Sequence, residues 1–302
     1  MPNGKWRSTY RNKVIAMKLQ KRYSLTGLCY TLPFLAGFAL LYLIPFLWSI
    51  QRTFTAGAGG TRFVGLWNYF DLFRSAAFRL ATGNTLRFIG IGVPLLMVLS
   101  FALALALHRK FRGASFFRSV FLLPLVIPVA AVVTVVQAFF GDGGSTNQLL
   151  EAIGLPVKSW IDSDLAFPLL IGLYIWKNCG YNMVLFLAAL SAIPQEYADA
   201  AACEGASQGY ILRHITLPLM VPNLFFVFVI SVINAFKSFR EAYLLGGSMP
   251  HESIYMLQHF MNNNFTNLNY PRLCTAALLI FSVIFLLVLL LLRVKRKYEV
   301  VL

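Results

Sequence analysis

The sequence predicts an all-α membrane protein with six transmembrane helices, and two observations lead to that fold class. Of its 302 residues, 58% are hydrophobic and only 12% are charged, which is about half the charged share of an average soluble domain. The apolar residues gather into six runs, each long enough to supply the roughly 20 helical residues that cross a hydrocarbon core. Because every backbone group inside lipid must find an internal partner, these runs are predicted to be helices.

The predicted spans cover, in chain order, about residues 28–50, 86–107, 117–140, 167–190, 221–243 and 274–292. Proline occurs inside the first three spans, at Pro33, Pro45, Pro94, Pro124 and Pro128. Neighbouring helices or water can satisfy the carbonyl groups that proline leaves free. These prolines are therefore expected to kink the helices without ending them.

Lysine and arginine predict the orientation of the spans. They are concentrated before the first span, between the second and third spans, and after the sixth: Lys5, Arg7, Arg11, Lys13, Lys18, Lys21 and Arg22; Arg109, Lys110, Arg112 and Arg118; Arg293, Lys295, Arg296 and Lys297. Since cytoplasmic segments carry the excess of these residues, both termini are predicted to be cytoplasmic. The chain then divides into a basic segment at 1–27, a transmembrane domain at 28–292 and a tail at 293–302. The net charge of +15 thus indicates contact with membrane lipid and no nucleic-acid partner.

The connection between the fourth and fifth spans, residues 191–218, predicts a short helix, a sharp turn and a second short helix. Pro194 suits the first helical turn, and Glu196 favours the positive end of that helix. Gly205 can take the left-handed conformation that ends it. Small residues at spacings of three and four leave one face nearly bare, which suits close docking of another protein; they are Ala198, Ala201, Ala202 and Gly205. The alternative is an alanine-rich connector with no further role.

This segment resembles the EAA loop of the permeases of ATP-binding-cassette (ABC) importers. In that loop Glu-Ala-Ala is followed after three residues by Gly, after nine more by Ile, and after one more by Leu-Pro. The residues that match at the same intervals are Asp199, Ala200, Ala201, Gly205, Ile215, Leu217 and Pro218. Asp199 replaces Glu, which keeps the charge and shortens its reach. Residues 63–69 with 84–86, and the glycine pair 246–247, are similar to segments of the maltose- and glycerol-3-phosphate-type permeases.

The resemblance implies a type I ABC importer permease fold in a bacterial or archaeal cytoplasmic membrane. In that family the loop is a coupling helix that sits in a groove of a cytoplasmic ATPase, a role that falls on Asp199, Ala200, Ala201 and Gly205. The implied partners are cytoplasmic ATP-binding subunits, a second homologous permease and an extracytoplasmic solute-binding protein. The implied cargo is a carbohydrate, whether sugar, oligosaccharide or glycerol phosphate. The chain contains no GxxxxGK[ST] phosphate loop, so no cofactor is predicted for it and ATP-Mg is predicted to be used by the partner ATPase.

Polar residues inside the spans are candidates for a substrate path because they are costly in lipid. They form one-sided sets on the fourth and fifth spans: Asn178, Tyr181 and Asn182; Asn234, Lys237 and Glu241. Such residues can bind sugar hydroxyls, while Tyr181 or Trp176 covers an apolar ring face. Alternatively, asparagines hold helices together, and the charges, with Arg240, lie at the outer membrane interface. The interface is the favoured interpretation of the charges, and the role of the asparagines stays open.

Other classes of protein fit the sequence less well. The spans contain no histidine and no acidic pair, so neither a catalytic nor a metal site is predicted. His251 and His259 are interpreted as solvated loop histidines. An ion-coupled secondary transporter is the alternative function, although such a protein usually has an internal repeat and intramembrane carboxylates.

Overall fold

The computed structural model describes residue 27 and residues 30–57, 60–108 and 113–299, and these are almost entirely helical. The helices are α1 (Tyr30–Thr53), α2 (Trp67–Arg74), α3 (Ala76–His108), α4 (Ala114–Val126), α5 (Val129–Phe140), α6 (Ser145–Ala152), α7 (Ala166–Ser191), α8 (Gln195–Cys203), α9 (Gln208–Ile211), α10 (Leu217–Lys237), α11 (Phe239–Gly246), α12 (Leu257–Thr266) and α13 (Tyr270–Glu299). A π-helical stretch, Ala39–Leu43, lies within α1, and another, Leu212–Thr216, joins α9 to α10. A short 3₁₀ turn covers Glu252–Ile254. Strands β1 (Thr55–Ala56) and β2 (Arg62–Phe63) form a small antiparallel ribbon.

Five helical segments of the described chain are long and apolar enough to cross a membrane: Tyr30–Thr53, Ala76–His108, Val129–Ala152, Gln208–Gly246 and Tyr270–Val294. The predicted fourth span corresponds to α7, which has a sufficient length of 26 residues. Its middle is less apolar because it carries Lys177, Asn178 and Asn182. The seven N-terminal cations, together with Arg109, Lys110 and Arg112, lie outside the described residues.

The third predicted span is not one kinked helix. It is divided into α4 and α5 by an extended break at Ile127 and Pro128. Proline cannot donate its backbone nitrogen to the preceding turn, and it biases the residue before it away from helical geometry. Ile127 accordingly has φ −68° and ψ 130°. The prediction that Pro128 would leave the helix continuous was wrong, whereas Pro94 and Pro124 lie inside α3 and α4.

Helix α7 is the centre of the bundle and packs against α3, α4 and α10. More than half of its residues are buried. Phe88 of α3 meets the ring of Tyr174 edge-on, with 5.2 Å between ring centroids. Gly180 allows α4 to approach closely, because a Cβ atom at this position would overlap the carbonyl oxygen of Phe121. This contact places α4 against the middle of α7.

Two asparagine side chains hold the connections at the end of α7 opposite to α8. Asn68 donates hydrogen bonds of 2.9 Å to the carbonyl oxygens of Thr53 and Thr55. Asn84 donates to the carbonyl oxygens of Glu252 and Tyr255. These two asparagines belong to the segments 63–69 and 84–86, which are similar to segments of the maltose- and glycerol-3-phosphate-type permeases. In this chain both residues hold loops in place.

Helix α2 is attached to α13 by an ion pair. The Nε and Nη2 groups of Arg272 donate hydrogen bonds of 2.7 Å and 3.1 Å to the two carboxylate oxygens of Asp71. The hydrogen bonds from Arg272 hold the pKa of the Asp71 carboxyl below its usual range. The paired geometry orients the short helix α2 against the start of α13.

Candidate functional site

The loop at 191–218 folds as a helix that ends in a tight turn. Pro194 precedes the first residue of α8, and Glu196 lies in the first turn. At the other end Gly205 has φ +85°. The amide of Gly205 donates to the carbonyl of Ala202, and the amide of Ala206 donates to that of Ala201, both at 3.0 Å. This is the Schellman arrangement, which requires a left-handed residue and therefore favours glycine.

Helix α8 presents most of its surface to the outside. None of its residues is buried, Asp199 and Ala200 are exposed, and the side chain of Tyr197 is 51% exposed. The face predicted to be bare is instead divided: Ala198 and Ala201 are half-buried and face the bundle, whereas Ala202 and Gly205 lie outside. The small side chains therefore allow one side of α8 to lie close to the bundle, and the other side is exposed.

The bundle end beneath α8 is formed by the ends of the longest helices. A cavity of about 360 Å³ lies between α8, the last residues of α3 and α7, and the start of α9. Its lining includes Leu105, His108, Leu190 and Ala198. A displacement of α8 would therefore change its contacts with the ends of α3 and α7.

The predicted second short helix is not separate. Ser207 begins α9 by accepting a hydrogen bond from the amide of Tyr210, and the chain then continues without a break through the π-helical stretch into α10. Ile215 and Leu217 are half-buried, and Pro218 follows the π-helical stretch directly, at the start of α10. The loop is thus rigidly connected to the long helix that follows it.

A second feature is a polar cavity of about 420 Å³ at the middle of α7. Its volume is within the range of small-molecule sites. It opens between α4, α7, α10 and α11, and five of the six predicted path residues line it: Asn178, Tyr181, Asn234, Lys237 and Glu241. These residues come from helices separated by about fifty positions in the chain, and packing of α10 on α7 brings them together.

Asn182 is the exception among the predicted path residues. It is fully buried and donates a hydrogen bond of 2.7 Å to the hydroxyl of Ser231 on α10. The Tyr174 hydroxyl donates to the carbonyl of the same Ser231, also at 2.7 Å. Asn182 therefore joins two helices, as expected for asparagine glue. Trp176 likewise lies elsewhere, on an apolar cleft between α5 and α7.

The cavity wall contains an ion pair that the sequence did not predict. The Lys177 ammonium lies 2.5 Å from a carboxylate oxygen of Glu241, with side chains 20% and 6% exposed, respectively. The second oxygen of Glu241 is buried and has no hydrogen-bond partner among the described residues. Glu241 is thus a buried, paired residue, and its position at the outer membrane interface stays a prediction. A lysine in the middle of a predicted span was the signal that could have identified Lys177.

Two further cations line the same cavity. Lys237 and Arg240 are both exposed, and neither has an ion pair or hydrogen bond within the part of the chain that the structure describes. A cation at the centre of a bilayer costs roughly 2.5–3.5 kcal/mol on insertion scales, so such residues ordinarily face water. The cavity supplies that water-accessible position.

His259 also differs from its predicted environment. It is fully buried on α12, against the rings of Phe239 and Tyr255. Its Nδ1 atom accepts a hydrogen bond of 3.1 Å from the Met256 amide. Burial lowers the pKa of His259 to about 4. The histidine is therefore neutral and belongs to the core of the loop region. Among the described residues, no group of three or more His, Cys, Asp or Glu side chains is arranged to hold a metal ion.

A polar cavity between long apolar helices is typical of membrane transport subunits. The chain belongs to the family described as "Binding-protein-dependent transport system inner membrane component", whose family model matches residues 97–298. This family consists of ABC transporter permeases, so the chain is a transport subunit and not an enzyme. The same membership excludes the ion-coupled secondary transporter.

Known proteins resemble the chain over most of its length. The "Probable ABC transporter permease protein YesP" of Bacillus subtilis is 30% identical over 250 residues, which is 80% of this chain and 81% of that protein. The "Trehalose/maltose transport system permease protein MalF" of Thermococcus litoralis is 28% identical over 78% of this chain and 82% of its own. A crystal structure of a bacterial ABC transporter involved in the import of the acidic polysaccharide alginate has the same fold. Its TM-score is 0.79 at 22% identity, with 93% of this chain and 99% of that chain covered.

Proposed function

We propose that this chain forms half of the translocation path of an ATP-driven carbohydrate importer in the cytoplasmic membrane of a bacterium or archaeon. Family membership supports the importer class, and relatives named for maltose, trehalose, lactose and arabinooligosaccharide transport support the cargo class. The observation that carries the proposal is the pairing of an exposed helix, α8, with a polar cavity on the same set of helices. In this proposal α8 contacts the ATPase, and the cavity contacts the transported carbohydrate.

In this proposal the chain crosses the membrane six times with both termini in the cytoplasm. The spans are α1, α3, α4 with α5, α7, α10 with α11, and α13. The polar middle of α7 is accommodated because its residues face the cavity or neighbouring helices instead of lipid. Basic residues after the end of α3 and in the last turns of α13 support the orientation, since they are then cytoplasmic.

Helix α8 is proposed to be the coupling helix. Asp199, Ala200, Ala201 and Gly205 would sit in a groove of a cytoplasmic ATP-binding subunit, with the exposed Asp199 carboxylate against a basic group. Ile215, Leu217 and Pro218 would then transmit the movement, because the loop continues directly into α10. That helix carries Asn234 and Lys237 of the cavity, so a motion of α8 would alter the cavity wall.

The remaining partners follow from the same proposal. A half-path needs a second homologous permease, and a family defined by dependence on a binding protein needs an extracytoplasmic solute-binding protein. Asn178, Tyr181 and Asn234 would bind sugar hydroxyls from one side of the path. Lys237 and Glu241 line the same wall.

Transport by the complete assembly in vesicles tests the function. The chain, its second permease, the ATPase and the binding protein should together take up a radiolabelled oligosaccharide only when ATP is inside the vesicle with the ATPase. Uptake without ATP, or with the ATPase left out, would remove the basis for the proposal.

A substitution at Gly205 tests the coupling role separately. Gly205→Val should insert and fold, because no atom lies within 4 Å of a Cβ atom there, but its φ of +85° is strained for a β-branched residue. We expect loss of ATPase co-purification or of ATP-driven uptake. Gly209→Val is the matched control, because Gly209 is also open and has no positive φ. Full uptake by Gly205→Val would contradict the coupling role.

A further inference from the structure

The charges around the polar cavity do not balance. Lys177, Lys237 and Arg240 bring three positive charges to its wall, and Glu241 brings one negative charge. The carboxylate is already paired with Lys177 at 2.5 Å. Lys237 and Arg240 remain without an anionic partner among the described residues, and both side chains are exposed to the cavity.

An unbalanced positive cavity attracts anions. Low-dielectric walls concentrate the field of the two free cations within the opening and raise the local concentration of negative solutes. A neutral sugar would gain nothing from this field, and the hydrogen-bonding residues Asn178, Tyr181 and Asn234 would suffice for it. Arg240 adds a planar donor set that matches a carboxylate or phosphate group.

We infer that the cargo of this path is a carbohydrate that carries a negative group, either a uronic-acid carboxylate or a phosphate. Lys237 and Arg240 bind that group, while the asparagines and Tyr181 contact the hydroxyls. The ion pair of Lys177 with Glu241 limits the excess charge, so the anion is held weakly enough to leave. This inference rests on the proposed function and names the substrate class of the same cavity.

Binding of one oligosaccharide in charged and neutral form provides the test. Fluorescently labelled trigalacturonate and its methyl ester are compared on the purified assembly of both permeases and the ATPase, without the binding protein. The acid should bind and the ester should bind at least tenfold more weakly. In Lys237→Met/Arg240→Met the acid should lose about tenfold or more in affinity, since hydrogen bonds to charged groups are worth that factor.

Two matched variants separate recognition from folding. Lys237→Arg/Arg240→Lys keeps both charges and should retain binding of the acid. Arg62→Met removes an exposed cation of β2, outside the cavity, and should leave binding unchanged. Equal binding of acid and ester, no binding of either the acid or glucose 6-phosphate, or an effect of Arg62→Met as large as that of the double variant would overturn the inference.

Further arms identify the source of the anion. Competition by glucose 6-phosphate stronger than by galacturonate would assign the phosphate form, and the reverse would assign the carboxylate form. In nanodiscs with phosphatidylglycerol, a loss of bound lipid in Lys237→Met/Arg240→Met with unchanged sugar binding would show a lipid contact and overturn the inference. If the vesicles transport carbohydrate but acid and ester bind alike, only this inference fails; if no carbohydrate is transported with ATP, the proposed function fails first.

Discussion

Removal of one partner of the Lys177–Glu241 ion pair should destabilise the protein far more than removal of both. At 2.5 Å and an effective dielectric constant near 20, two unit charges attract by about 7 kcal/mol before desolvation is subtracted. The Glu241 side chain is only 6% exposed, so Lys177→Met leaves a buried carboxylate without its counter-charge. We expect a loss of about 3–5 kcal/mol in the free energy of unfolding, reduced towards the lower value because Lys177 is 20% exposed.

The double variant Lys177→Met/Glu241→Gln provides the discriminating measurement. With both charges removed, most of the stability should return, because replacing a buried pair with neutral groups is often nearly neutral. Reversible unfolding of the unsubstituted protein, Lys177→Met, Glu241→Gln and the double variant in a detergent titration completes a double-mutant cycle, which isolates the coupling of the two side chains. Additive losses, or a loss below about 1 kcal/mol for Lys177→Met, would refute the view that this is a desolvated pair.

Two further predictions concern the bundle and its loop region. Gly180→Ala should destabilise the protein by about 1–3 kcal/mol, because the added Cβ overlaps the carbonyl of Phe121. On the same helix, Gly172→Ala has open space and should be neutral or slightly stabilising in the same unfolding titration; equal effects of the two would contradict the close helix contact. The pKa of His259 is about 4 in the folded protein and 6.5 in the reference state, so protonation favours the unfolded state. Above pH 6.5 the histidine is neutral in both states, and the free energy of unfolding is not reduced by its protonation. Stability should then fall by up to about 3 kcal/mol as the pH decreases from 6.5 to 4. His259→Gln should flatten that part of the pH profile, and an unchanged slope would show that other groups cause it.

The loop at 191–218 illustrates what could be predicted locally. Pro194 and Gly205 act through backbone geometry, which depends on the residue itself and its immediate neighbours. The start of α8, its end and the left-handed turn are therefore where the sequence places them. The packing of α8 against the bundle could not be predicted from the residues of the loop alone. The half-burial of Ala198 and Ala201 depends on the ends of α3 and α7, which are distant in the sequence.

The polar cavity could not be predicted from the sequence, because its walls come from helices that are distant in the chain. The sequence indicated polar residues on two spans, and five of the six meet in one cavity. Asn178 and Asn182 are one helical turn apart on α7, and only the position of α10 decides that Asn182 bonds Ser231 while Asn178 lines the cavity. The ion pair of Glu241 was not visible in the sequence because its partner, Lys177, lies 64 positions away in the chain.

The sequence by itself determined that this protein belongs in a membrane, since hydrophobic content, helix length and the clustering of basic residues are properties of composition and order. It also determined the family, because the spacing from Asp199 to Pro218 is a linear pattern. Only the tertiary structure decided where the third span breaks, which asparagine joins helices, and which charges are compensated. Those features depend on contacts between residues far apart in the chain, and packing of α4 and α10 around α7 creates them.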